Sequence, residues 1–126
     1  VMLARCVARW QIRDVGDWAS LPALLLLFTV FGFFGEPIGN AYSRAQEHDA
    51  DVYGLEVVHG IVDDTRTTGA EAFQILGEVN LSDPEPPRFI EFWLYSHPSV
   101  RDRVAFARDY DPWSKGKTPR FVKSGG

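Results

Sequence analysis

The chain reads as all-α, and three observations predict it. Eighteen positions from Trp18 to Gly35, WASLPALLLLFTVFGFFG, carry no charge. Apolar residues recur at helical spacing in the segments that follow, and no pair of alternating runs offers itself as a hairpin. A helix of that apolar length rises about 27 Å, close to a hydrocarbon core of about 30 Å. One membrane-type apolar helix, transmembrane or re-entrant, followed by a small helical subdomain is therefore the expected architecture.

Residues 1–17 are expected to be the end of an upstream helix and its connection, because Met2, Leu3, Val7 and Trp10 interleave with Arg5, Arg9 and Arg13 at helical spacing. The apolar helix occupies 18–36. Asp17 or Ser20 can cap it, and Pro22 falls in its first turn, where a missing N–H costs nothing. Glu36-Pro37 is expected to break it, since the residue before a proline is pushed out of the α region. Arginines before an apolar run also fit a signal peptide. However, GEPIGN is not a small-x-small cleavage site, and the run continues into patterned helix. A retained membrane helix is favoured, with a buried core helix as the alternative.

Residues 37–112 form the helical subdomain. Ile38, Ala41, Tyr42, Ala45, Val52 and Leu55 make one apolar stripe of a helix that should end at His59-Gly60. Thr68-Gly69-Ala70-Glu71 has the form of a capping box for a second helix, with Ala72, Phe73, Leu76 and Val79 inward. The proline-set loop SDPEPP ends that helix. RFIEFWLYS fits either one or two helical turns or an extended segment. Pro98 suits the first position of a last helix carrying Val100, Arg103, Val104 and Ala107. Tyr53, Phe73, Phe89, Phe92, Trp93 and Phe106 are assigned to the core, and residues 113–126 to a basic irregular tail.

The net charge of −4 hides an uneven distribution. Glu36 to Glu91 holds twelve acids against Arg44, Arg66 and Arg88, a surface that excludes nucleic acid as a partner. Both ends are comparatively basic, with Lys115, Lys117, Arg120 and Lys123 closing the chain, so either could lie against anionic lipid or remain solvated. The single cysteine, Cys6, excludes an intrachain disulfide and a paired-cysteine zinc site.

The chemistry concentrates in NAYSRAQEHDADVYGLEV, residues 40–57. On a helix Glu47 and Asp51 share a face, with Arg44 and His48 on its flanks. Like charges at that spacing repel by only about 0.2–0.5 kcal/mol, which a solvated acidic face tolerates. A metal site built from Glu47, His48 and Asp51 is the competing reading. It is weak, because His48 points some 100° away from Glu47 while zinc needs converging ligands. Arg44 could pair with Glu47 or His48, or snorkel, and a structural role is favoured for it; His59 reads as a partner of its helix's C-terminal dipole.

Two motifs sharpen this. SRAQEHDAD resembles the Ser-Arg-x-x-Glu-x-x-Ala-Asp element of the membrane zinc metallopeptidases that include the type I CAAX prenyl proteases and the bacterial heat-shock membrane proteases. FWLYSHPSVRDRVAFA resembles the same family's downstream element, Ser or Thr followed by His-Pro, with an arginine six residues after the histidine. The resemblance runs from about Asp17 to Arg108. It implies that Glu47 is the third ligand of a catalytic Zn2+ and that Asp51 is an acceptor fixing a metal-ligating histidine. It also implies that His97 donates to the developing oxyanion and that Arg103 reaches back to Asp51.

The family's His-Glu-x-x-His helix, which supplies two ligands and the general base, does not occur here; the histidines are His48, His59 and His97. The expectation is therefore the C-terminal part of a gluzincin-like membrane metalloendopeptidase, multi-pass when complete. It would act on peptide or protein substrate near the membrane, depend on an N-terminal half carrying His-Glu-x-x-His, and be inactive and weakly zinc-binding by itself. The alternative is a non-catalytic, membrane-anchored helical interaction module.

Overall fold

The computed structural model describes residues 16 and 18–122. The helix end expected over residues 1–17, the Asp17 cap and the last four residues of the tail lie outside them. Among the described residues, a 3-10 turn at Trp18–Ser20 precedes four α-helices: α1 Leu21–Val58, α2 Thr65–Val79, α3 Arg88–Leu94 and α4 Val100–Asp109. There is no strand among them, only an isolated bridge between His59 and Val62. The all-α reading holds.

The chain divides into two compact units, Val1–Glu36 and Pro37–Gly126. In the first, α1 is long and apolar enough to cross a membrane. Phe28, Phe31, Phe33 and Phe34 are exposed around it, as are Leu25 and Leu26, so this part of the helix has apolar side chains on all sides rather than one stripe. Its one hydroxyl, Thr29, returns its proton to the Leu25 carbonyl at 2.8 Å.

Pro37 does not break the helix as expected, because α1 is continuous through it. Proline removes one backbone donor and crowds the preceding turn. Here the unbroken bonds on both sides carry the helix past that defect.

The second unit is built around Leu55 of α1, Ala70 of α2 and Ala107 of α4, with Phe73, Val104, Phe106 and Tyr110 packed on them. Small residues let α2 and α4 approach closely. A Cβ on Gly77 would lie 2.6 Å from Val100 Cγ2 and 2.9 Å from its Cγ1. The expected stripe on α1 is only half right. Val52 and Leu55 are buried, whereas Ile38, Ala41, Tyr42 and Ala45 are exposed. On α2 the inward positions are Thr65, Ala70, Phe73 and Gly77, while Ala72, Leu76 and Val79 face outward. Tyr53, Phe89 and Phe92 are likewise exposed rather than in the core.

Helix ends also correct the sequence reading. α2 begins at Thr65, and its cap is Asp64, whose Oδ1 accepts from Arg66 N at 3.1 Å and Thr67 N at 3.3 Å. Asp64 Oδ2 takes the Thr67 hydroxyl at 2.6 Å. Thr68 is already inside the first turn, because an aspartate earlier in the chain satisfies the orphan donors first. RFIEFWL is helical. α4 starts at Val100, two residues later than Pro98 would have it, with Ser99 as its cap accepting from Asp102 N at 3.3 Å. α1 ends as expected, with Gly60 at φ +78 after His59.

Candidate active site

Helical periodicity puts Glu47 and Asp51 one turn apart on α1, and the second unit brings the downstream motif to them. Arg103 of α4 closes on Asp51 with both arms: Nε to Oδ2 at 2.9 Å and Nη2 to Oδ1 at 2.6 Å. The same guanidinium lies over the Phe73 ring, 4.4 Å from its centroid. A two-point fork held in a partly buried setting is the strong form of charge-assisted bond. The imidazole Nδ1 of His97 meets Glu47 Oε1. Glu47, Asp51, His97 and Arg103 all line one cavity of about 630 Å³, together with Phe73, Gly77 and Val100.

The His97-Pro98 corner is placed by a second carboxylate that the sequence reading passed over. Glu91, buried on α3, accepts the Ser99 N–H at 3.1 Å on one oxygen and Arg88 Nη1 at 3.0 Å on the other. Arg88 also holds Asp102, at 2.7 and 3.3 Å, and keeps that carboxyl below the usual aspartate range. The signal was present: a lone acid inside an aromatic run, and Ser99-Val100-Arg101-Asp102 in capping form.

Arg44 does not pair with Glu47 or His48. It reaches α3 instead, donating to the Tyr95 carbonyl at 2.5 Å and the Glu91 carbonyl at 3.3 Å. Asn40, one turn before it, donates to the Trp93 carbonyl at 2.7 Å. Together they supply side-chain donors to three carbonyls around the end of α3, of which Glu91's also accepts from Tyr95 N at 3.2 Å. His48 packs edge-on against Phe106, 4.4 Å between centroids, so it is a packing residue here. His59 lies flat on Trp113 at 3.4 Å.

The tail is irregular but anchored. The buried Glu56 carboxylate receives the Tyr110 hydroxyl and the N–H groups of Arg120, Phe121 and Val122. Burial pushes this carboxyl up, but the Tyr110 bond and the three backbone donors outweigh it and leave it below the usual range. Burial first, and then the Glu56 carboxylate, push the Tyr110 phenol up to about 12. Arg120 is thereby set to fork onto Asp49 of α1 at 2.5 and 3.0 Å.

The donor set can be tested against a metal. Among the described residues no three His, Cys, Asp or Glu side chains converge as a metal site. Glu47 presents one oxygen donor to the cavity with His97 beside it, chemistry that suits one ligand of a zinc ion but not the three that a catalytic zinc takes.

The profile of peptidase family M48 matches residues 2–111. The chain belongs to peptidase family M48. An uncharacterized metalloprotease, YhfN, of Bacillus subtilis (strain 168) is 41% identical over 91 residues, covering 72% of this chain. The chain spans 20% of that relative's length. No solved structure matches. Within this M48 chain the acidic-helix motif and the His-Pro motif, about fifty residues apart, meet at one cavity.

Proposed function

We propose that this M48 chain supplies the C-terminal side of the active site of a zinc-dependent membrane metalloendopeptidase akin to the CAAX prenyl and heat-shock membrane proteases. The observation that carries the reading is the convergence of Glu47, Asp51, His97 and Arg103 on one cavity. Glu47 would be one zinc ligand, and the other two would come from a His-Glu-x-x-His segment that these 126 residues do not contain. Zinc, when bound, would supply Lewis-acid activation of water for peptide hydrolysis.

This chain's own groups act around that centre. Arg103 fixes Asp51, which in turn holds the acidic turn of α1 at one rotation about the helix axis. Glu91 fixes Ser99 and so the corner carrying His97, whose ring N–H, engaged by Glu47 here, would turn to a substrate carbonyl oxygen as charge develops on it. Peptide or protein substrate would enter along the Phe73, Gly77 and Val100 wall. The apolar part of α1 would hold the site at a bilayer, in a protein that is multi-pass when complete.

The test is complementation. The chain is co-expressed in membranes with a family half carrying His-Glu-x-x-His, and cleavage of a quenched fluorescent peptide is followed with stoichiometric zinc retention. Activity and zinc retention are expected only with both halves. Glu47→Ala should abolish both, while His97→Ala should retain zinc and lose about 10²–10³ in kcat, the scale for one oxyanion donor. Complementation that yields neither would identify the chain as the non-catalytic membrane-anchored module. Tight zinc binding by the chain alone would overturn the one-ligand assignment.

A further inference from the structure

Helix α3 is inside out for a helix in water. Its acid, Glu91, is 7% exposed, while Phe89, Phe92 and Leu94 are 70%, 51% and 62% exposed. The rings are contiguous, with Phe89 and Phe92 centred 5.8 and 6.0 Å from Trp93. The charged groups of this helix are paired within the fold. Glu91 is held by Ser99 and Arg88, and Arg88 is neutralised by Asp102. Three carbonyls around the helix end, those of Glu91, Trp93 and Tyr95, receive Asn40 and Arg44. Water would serve those carbonyls at no cost. Internal capping of this kind is what a helix needs when its end lies where water is scarce.

Chain length says what covers the face. Asn40, which grips α3, follows Gly35, the last residue of the uncharged run, by five residues. Five residues reach at most about 18 Å even fully extended. With Gly35 at the edge of the bilayer, Asn40 lies within that reach of the boundary and carries the end of α3 with it, and exposed aromatic rings with a short apolar helix are what partition there.

We propose that α3 lies in the membrane interface, with Phe89, Phe92 and Leu94 inserted at the headgroup boundary, so that the lipid surface seats the helix that positions the His97 corner. This rests on the reading of 18–35 as a membrane helix. It adds a second, lipid-facing contact made by the catalytic subdomain itself.

The experiment uses the full chain with Cys6→Ser, reconstituted in vesicles of phosphatidylcholine and phosphatidylglycerol. Single bimane-labelled cysteines replace Phe89, Phe92, Leu94, Leu81 or Phe28, and quenching by nitroxide lipids is compared with quenching by aqueous iodide. Labels at Phe89, Phe92 and Leu94 should shift blue and lose most of their fluorescence to shallow nitroxides. The label at Leu81, 93% exposed at the end of α2, should answer to iodide alone. The label at Phe28 should answer to deep nitroxides. With Phe28 deep in lipid, iodide quenching of the α3 labels, protection from both quenchers, or equal lipid quenching at Leu81 would each overturn the α3 proposal and leave the membrane helix standing. A Phe28 label open to iodide would overturn the membrane helix and this inference with it.

Discussion

Arg103 grips Asp51 with Nε and Nη2, each on a separate carboxylate oxygen, across fifty-two positions of sequence. Asp51 is only 7% exposed, so removing the cation strands a desolvated charge. Arg103→Ala is expected to cost about 3 kcal/mol, the scale for breaking one side of a buried pair. Lysine should restore little, since it cannot present two donors in a fixed plane. Urea midpoints in detergent, with Asp51→Asn and the double variant completing the cycle, measure it. Additive single effects would show that the two residues do not act together.

Stability should fall at both ends of the pH scale through one contact. Glu56 has its carboxyl lowered in the fold, so its contribution is complete above the ordinary value of 4.5 and is lost as pH falls below it. Tyr110 is raised from 10.0 to about 12, so its contribution is complete below 10.0 and is lost as pH rises towards 12. Circular-dichroism melts against pH should show both limbs. Glu56→Gln should flatten the acid limb, and Tyr110→Phe the alkaline one.

Asp64→Ala should destabilise more than Thr68→Ala. Asp64 serves two backbone donors and the Thr67 hydroxyl, whereas Thr68 lies exposed in the turn that follows. Equal melting temperatures for the two variants would mean that α2 starts at the capping box after all.

Gly77→Ala should lower stability by about 1–3 kcal/mol despite alanine's better helix propensity, because the new methyl meets the stiff, β-branched Val100. Gly69→Ala should be milder, because what it meets is the far end of the Leu55 side chain, which can rotate. A reversed order would show that α2 and α4 separate more easily than their packing implies. In an active complemented enzyme, Gly77→Ala should also raise KM, since Gly77 lines the cavity.

Much of this was legible in the sequence because it is local or carried by motifs. The apolar run, the end of α1 at His59-Gly60, the helix over 100–109 and the pairing of Arg103 with Asp51 all follow from spacing or from resemblance. The rest failed for identifiable reasons. Pro37 reads as a break because local rules weigh one missing donor and not the many bonds flanking it. The outward-facing Leu76 and Val79 were put inside because an apolar pattern does not say which partners are present to cover it. Arg44 has the structural role favoured for it, and Glu91 was marked by its place in an aromatic run, but the partners of Asn40, Arg44 and Glu56 were not legible, because they include backbone groups far along the chain. A backbone group leaves no mark on the sequence at its own position.

That last property of Asn40 and Arg44 has an evolutionary consequence. Their targets at 93, 95 and 91 are carbonyl oxygens, which every amino acid carries, so the joint between the motif helix and α3 is blind to side-chain identity on the receiving side. Positions 93 and 95 are free to drift as far as this joint is concerned, while 40 and 44 are not. The side chains at 93 and 95 can therefore change by single substitutions without unfastening the helix that carries Glu47.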